Sequence, residues 1–233
     1  MPLPAIVLAG GLGTRLRSVV ADRPKVLAPV AGAPFLRHLL RHLGAEGVHD
    51  VILATGHLGE QVEAFVEAGV PDGMRVRCVR EEEPLGTGGA LALASRSSGV
   101  DGPFFALNGD TFFGGRLGAL AEAHPNAGVT MALAHVDDAS RYGRVRLDGD
   151  RVDGFEEKRE GAGPAWINAG VYVLSPEVVT GIEAGAFVSL ERDVFPGLVA
   201  SGDVRAVTFP EAAFLDIGTP EDFARAEAVL RQI

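Results

Sequence analysis

Ala5-Ile6-Val7-Leu8-Ala9 is an unbroken apolar run, and the chain passes from it straight into Gly10-Gly11-Leu12-Gly13-Thr14-Arg15-Leu16. A short apolar run closed by a turn signal reads as a buried strand. Glycines after such a strand let backbone N–H groups curl round an anion at close range. Arg15, and Lys25 in Arg23-Pro24-Lys25, then supply positive charge for phosphate oxygens. The stretch reads as a cradle for a nucleoside triphosphate. A plain turn is the competing reading. Two other glycine motifs fit less well: a dinucleotide fingerprint lacks its third glycine, because Leu16 stands there, and the P-loop pattern is absent from the chain.

The rest of the sequence alternates strands and helices. Val26–Val30 is expected to be extended. Pro34 opens a helix with Leu36, Leu39, Leu40 and Leu43 on one stripe. Strands are expected at Asp50–Thr55, Met74–Arg80 and Phe104–Asp110, with helices over about 59–68, 90–97 and 114–123. A strand at 128–136 precedes a hairpin over 142–152 that turns at Asp148-Gly149. Ile167–Leu174 and Val204–Phe209 read as further strands, and Ser189–Leu198 as helical. Thr219 is a good N-cap for a last helix, with Pro220 at its first position. Alternating strands and helices predict a Rossmann-like three-layer α/β/α fold with a mixed, mainly parallel sheet. One domain over residues 1–233, carrying a small β subregion and no C-terminal repeat domain, is expected.

Composition excludes some functions. The formal net charge of −10 argues against a nucleic-acid surface, but small anions need only local positive charge. No apolar run approaches the ~20 residues of a membrane span, and no signal peptide is indicated. The single cysteine, Cys78, forms neither an internal disulfide nor a zinc cluster, so a cytoplasmic setting is expected. Of 21 Lys and Arg residues only Lys25 and Lys158 are lysines. Arginine replaces lysine readily on a surface but poorly where a compact ammonium must reach one phosphate oxygen.

Leu8-Ala9-Gly10-Gly11-Leu12-Gly13-Thr14-Arg15-Leu16 followed by Pro24-Lys25 resembles the signature of the sugar nucleotidyltransferases. These enzymes join a nucleoside triphosphate to a sugar 1-phosphate and release pyrophosphate. The likeness continues through Pro84-Leu85-Gly86-Thr87, Asn108-Gly109-Asp110, Tyr142-Gly143, Phe155-Glu156-Glu157-Lys158, Asn168-Ala169-Gly170 and Asp216-Ile217-Gly218-Thr219-Pro220, nearly the whole chain.

The resemblance implies a set of roles. Leu8, Ala9, Gly10, Gly11, Gly13, Thr14, Arg15 and Lys25 would bind the nucleotide, together with Glu81, Gly86, Thr87, Asn108 and Gly109. Glu81 would accept two adjacent donors on the pairing edge of guanine. Asp110 and Asp216 would hold Mg²⁺, with Mn²⁺ as a substitute, since carboxylate oxygens suit such ions. Gly143, Glu157, Lys158, Asn168 and Gly170 would face the sugar phosphate. Arg15, Lys25, Asp110, Lys158 and Asp216 would carry the chemistry. Arg17-Ser18-Val19-Val20, Asn108–Phe113 and Ile217–Asp222 look most like the branch that guanylylates D-glycero-α-D-manno-heptose 1-phosphate. Mannose 1-phosphate guanylyltransferases and N-acetylmuramate 1-phosphate uridylyltransferases are the alternatives. Two further classes are a non-catalytic sugar-nucleotide sensor and a nicotinamide-dependent oxidoreductase. The first is opposed by the presence of Lys25, Asp110 and Asp216, the second by Leu16 and Arg15. The sequence leaves monomer or homo-oligomer open.

Overall fold

The computed structural model describes residues 3–11, 13, 22–124 and 128–231. The first strand forms as β1 (Ala5–Leu8). Lys25–Leu27 then makes a 3₁₀ turn, and a tight hairpin of β2 (Pro29–Val30) and β3 (Ala33–Pro34) leads into α1 (Phe35–Ala45). This corrects the reading of Val26–Val30 as one extended segment. The N–H groups of Leu27 and Ala28 turn back onto the carbonyls of Pro24 and Lys25, at 2.9 and 3.0 Å.

β4 (Asp50–Thr55), α2 (Gly59–Glu67) and β5 (Arg75–Arg80) fall within a residue of their expected bounds. α3 (Gly86–Ser98) begins earlier than the expected Ala90. After β6 (Phe104–Asn108), a short strand that local pattern does not reveal, β7 (Thr111–Phe113), precedes α4 (Leu117–Glu122). Then come β8 (Val129–Val136), β9 (Arg144–Asp148) and β10 (Arg151–Glu156). β11 (Ala165–Leu174), α5 (Glu177–Thr180) and a π-helical turn at Leu190–Val194 lead into α6 (Phe195–Ser201). β12 (Val204–Phe209), β13 (Phe214–Asp216) and α7 (Pro220–Leu230) complete the order.

In the β9–β10 hairpin Asp148 pairs with Arg151, so the two loop residues are Gly149-Asp150 rather than the expected Asp148-Gly149. Gly149, at φ +62°, takes the first loop position, where left-handed backbone favours glycine.

Nine strands form one sheet in the order β5-β4-β1-β6-β11-β8-β12-β10-β9. The first four are parallel. Antiparallel pairing takes over at β11, which runs against both β6 and β8. β8 and β12 are again parallel, and the β9–β10 hairpin closes the far edge.

Residues alternate between the two faces, as the two-residue strand period requires. Ile6, Ile52 and Ala106 pack on one side with Leu91 of α3 and Phe195 of α6. Val7, Leu53 and Leu107 pack on the other with the leucine stripe of α1 and Val62 of α2. α1 has no side-chain cap at its N-terminus, a lack worth about 1 kcal/mol. Its four buried leucines stabilise by roughly 1.5–3 kcal/mol each, so packing decides that this helix forms.

A third, smaller core lies beyond the sheet. There Val30, Phe35, Phe112, Leu215, Ile217 and Leu230 bury one another. They fasten α7 and the β2–β3 hairpin to a separate two-stranded ribbon of β7 and β13.

Candidate active site

The carboxyl ends of β1, β4 and β6 open into a cavity of about 1140 Å³. Open parallel sheets take their ligands at this edge. Leu8, Ala9, Gly10, Gly11 and Gly13 line it, as expected of the glycine stretch. Thr14 and Arg15 lie outside the described residues. A Cβ on residue 10 would sit 2.8 Å from Glu81 Oε1 and 3.1 Å from the Gly56 nitrogen, so glycine here lets the three segments meet closely. Lys25, Asn108 and Asp110 also line the cavity, and Glu81, Gly86 and Thr87 contribute a further wall.

Gly109 has a different place. Its N–H donates to the Leu8 carbonyl at 2.9 Å, and a Cβ there would stand 2.4 Å from that oxygen. It lets β6 close against β1 and is not among the residues lining the cavity.

The β7–β13 ribbon brings two distant carboxylates together. Thr111 pairs with Asp216, and the Ile217 N–H donates to the Asp110 carbonyl at 3.0 Å. Lys25 Nζ reaches both acids, lying 2.6 Å from Asp110 Oδ2 and 3.6 Å from Asp216 Oδ1. Burial, and then the adjacent Asp110 charge, push the Asp216 carboxyl above the usual carboxylate range, while Lys25 works against both. Asp216 Oδ1 is buried without a hydrogen-bond donor.

Two carboxylates sharing one ammonium retain a negative charge. An orphaned, buried anionic oxygen beside a second carboxylate fits a hard divalent cation. Asp110 and Asp216 are the residues that would hold it. Among the described residues no group of three or more His, Cys, Asp or Glu forms a metal cage. A two-acid site of this kind suits a cation that completes its shell with phosphates and water.

On the opposite wall, Glu81 Oε2 accepts from the Leu85 N–H at 3.1 Å, and burial raises its carboxyl above the usual range. Gly86 has φ +71°, and a Cβ there would lie 2.5 Å from the Val188 carbonyl. The close backbone approach expected at this glycine is therefore made, in this structure, by Val188. That carbonyl also accepts from the N–H groups of Gly88 and Gly89, at 2.8 and 3.3 Å, and so caps α3. The Thr87 hydroxyl donates to Glu191 Oε2 at 2.9 Å and accepts from the Leu190 N–H at 2.8 Å.

The residues expected at the sugar are less gathered. Asn168 Oδ1 accepts from the Gly170 N–H at 2.9 Å, and Asn168 Nδ2 donates to the Tyr172 hydroxyl at 2.7 Å. Gly170 has φ +67° where β11 shifts register, and a Cβ there would stand 2.5 Å from Asn108 Nδ2. The space it leaves is filled by Asn108. Glu157 and Lys158 are exposed just beyond β10, and Gly143 is exposed just before β9. None of these three lines the cavity.

The sequence and the fold recur in proteins already known. A family model described as "Nucleotidyl transferase" matches residues 4–233. The chain belongs to the nucleotidyl transferase family.

A mannose-1-phosphate guanylyltransferase of Mycobacterium tuberculosis is 42% identical over 97% of this chain. The chain spans 64% of that relative's length. A D-glycero-alpha-D-manno-heptose 1-phosphate guanylyltransferase of Aneurinibacillus thermoaerophilus is 34% identical, covering 98% of this chain and 99% of its own. The crystal structure of HddC from Yersinia pseudotuberculosis complexed with GMP-PN superposes with a TM-score of 0.88 at 32% identity, over 98% of this chain and 99% of that one.

Within this nucleotidyl transferase, sequence reasoning passed over residues that line the cavity, Glu191 and Phe187 among them, and over Arg141, which braces the chain nearby. Glu191 lines the cavity through its bond with Thr87, and Phe187 lines it four residues earlier. Arg141 grips buried Asp222 through Nη1 and Nη2, at 3.1 and 2.5 Å, and its Nη2 also donates to Thr219 Oγ1 at 3.0 Å. That grip ties the segment before β9 to the start of α7, just after Asp216. Only the Arg141-Tyr142-Gly143 run offered a sequence signal for any of them.

Proposed function

We propose that the chain transfers a guanylyl group from GTP to a sugar 1-phosphate, best D-glycero-α-D-manno-heptose 1-phosphate, giving a GDP-sugar and pyrophosphate. The observation that carries the reading is the Lys25–Asp110–Asp216 cluster, whose Lys25 and Asp110 line the glycine-walled cavity. In the reaction a phosphate oxygen of the sugar 1-phosphate attacks the α-phosphorus of GTP. The bond from that phosphorus to the bridging oxygen breaks, and pyrophosphate leaves with the electron pair. A sugar phosphate is already mostly dianionic at pH 7, so no general base is required and no covalent enzyme intermediate forms.

The problem to solve is repulsion between two anions and their alignment. The backbone N–H groups of Gly10 to Gly13 and the Lys25 ammonium receive the triphosphate, with Arg15 on the leaving phosphates. Asp110 and Asp216 would hold Mg²⁺, or Mn²⁺ in its place, which supplies charge neutralisation between the α-phosphate and the sugar phosphate. Glu81 takes the two donors of guanine, exchanging the Leu85 N–H for the base. Lys158 and Glu157 meet the sugar phosphate from the exposed stretch after β10, and Asn168 with Gly143 shapes the sugar's surroundings, while Gly170 admits Asn108. Among the described residues no helix is long and apolar enough to cross a membrane. We place the reaction in the cytoplasm, where nucleoside triphosphates are at hand.

A second reading, mannose 1-phosphate as acceptor, is favoured by the 42% identical mycobacterial relative. The heptose is preferred on the Asn108–Phe113 and Ile217–Asp222 stretches, and a 34% identical heptose 1-phosphate guanylyltransferase supports it. Pyrophosphate release with Mg²⁺ tests the two. GTP, UTP, CTP, ATP and dTTP are crossed with heptose, mannose, glucose and N-acetylmuramate 1-phosphates. Signal confined to GTP with the heptose supports the first reading, and GTP with mannose the second. Silence in every pairing by folded protein overturns both and leaves a sugar-nucleotide sensor.

A further inference from the structure

Phe187 is 61% exposed, and it lines the same cavity as Glu81, Pro84 and Gly86. The other exposed large apolar residue among those described, Phe155, stacks on Phe195. Leaving a phenylalanine open forgoes burial of apolar surface, which something bound in the cavity would recover.

The ring is exposed, yet its backbone is fastened. On one side the Ala186 N–H donates to the Glu183 carbonyl at 3.1 Å. On the other the Val188 N–H donates to the Leu85 carbonyl at 2.8 Å, and the Val188 carbonyl caps α3. Leu190 and Glu191 are both bonded to the Thr87 hydroxyl, at 2.8 and 2.9 Å. An aromatic side chain on a strap held to its neighbour at five bonds is preorganised, so little ordering opposes contact with a ligand.

The chemistry of this wall narrows the ligand. Glu81, Glu82, Glu83 and Glu191 all line the cavity, and the neighbouring Arg80 is already paired with Glu60 at 2.8 Å, which disfavours phosphate beside them. A planar, uncharged π-system with donor groups on its edge suits an aromatic face next to a carboxylate. We propose that Phe187 is the stacking wall for the nucleobase, covering its face while Glu81 meets its edge. The proposal rests on the nucleotidyl-transfer reading of this site.

The test compares wild type with Phe187→Ala and Phe187→Trp. Calorimetry measures GTP with Mg²⁺, and inorganic tripolyphosphate serves as a probe without a base. Stacking on an aromatic side chain is worth ~1–3 kcal/mol per base by alanine substitution, so Phe187→Ala is expected to weaken GTP about tenfold. Tripolyphosphate affinity, the KM for the sugar phosphate and the melting temperature stay unchanged. Phe187→Trp keeps GTP affinity, and its indole emission falls on GTP addition beyond any change from Trp166 in wild type. Unchanged GTP affinity in Phe187→Ala overturns the proposal. So does an equal loss for GTP and tripolyphosphate, or a rise confined to the sugar phosphate KM. If wild type releases no pyrophosphate in any pairing, nucleotidyl transfer fails separately. Phe187→Trp emission is then read against ATP, UTP and CTP, and no change with any of them overturns the stacking wall as well.

Discussion

Lys25 Nζ lies 2.6 Å from Asp110 Oδ2, although 85 residues separate them in the chain. The ammonium occupies the ground between Asp110 and Asp216 that a divalent cation would also take. Replacing Lys25 by Met leaves the two acids to repel each other. Without metal, the melting temperature of Lys25→Met is expected to drop by roughly 2–8 °C, from ~1–2 kcal/mol of lost pairing at a partly exposed site. Added Mg²⁺ should recover that loss in the variant and change wild type far less. Scanning fluorimetry in chelator and in Mg²⁺ reads both. Equal melting in all four samples means Lys25 neutralises nothing there.

Asp216 is held in an unfavourable state by burial and by Asp110. Groups that cost stability persist where function needs them. Asp216→Asn and Asp110→Asn are expected to melt within a few degrees of wild type while kcat falls by about 10²–10³-fold, the scale for loss of one electrostatic stabiliser. Steady-state pyrophosphate release and calorimetry measure the two sides. An unfolded Asp110→Asn protein makes that residue structural instead.

Buried His124 and half-buried His42 set an acid limit away from the site. The His124 ring bonds to Thr130 Oγ1 and Ser175 Oγ, each at 3.0 Å, and burial lowers its pKa. Burial lowers that of His42 as well, with the Glu46 charge opposing. The unfolded chain therefore binds more protons than the native one just below the ordinary histidine pKa of ~6.5. Stability from this source is complete above that pH and is lost as pH falls through it toward the lower folded values. Urea melts from pH 8 to 5 should show the decline, and His124→Gln should flatten part of it. A His124→Gln slope identical to wild type assigns the decline to other groups.

Much of the fold was legible because its signals are local. The leucine stripe of α1, the apolar β4 and the Thr219 cap of α7, which accepts from the Asp222 N–H, all follow from residues within a few positions of one another. What escaped was set by distance or brevity. β7 has only three residues and exists because β13 pairs with it. Gly86, Gly88 and Gly89 look like a loop, since glycine weakens a helix interior, yet α3 starts there under the Val188 carbonyl. The Thr87–Glu191 bond spans 104 residues and leaves no trace in any window. At the site, Lys25, Asp110 and Asp216 were readable by resemblance and meet in space. Glu157 and Lys158 were read by the same means and stand exposed outside the cavity. A motif carries residue identity but not the posture of a segment beyond its strand.

The β7–β13 ribbon also fixes when the site comes into being. Asp216 reaches Asp110 only after β13 has paired with β7, and α7 with the β2–β3 hairpin has closed the small core around them. Apart from Gly218, the residues lining the cavity come from chain made earlier. During synthesis, then, a nascent or clipped chain ending short of Phe214 carries Asp110 without the Asp216 that stands beside it in the finished fold. The meeting of the two acids waits on the last strand to be made.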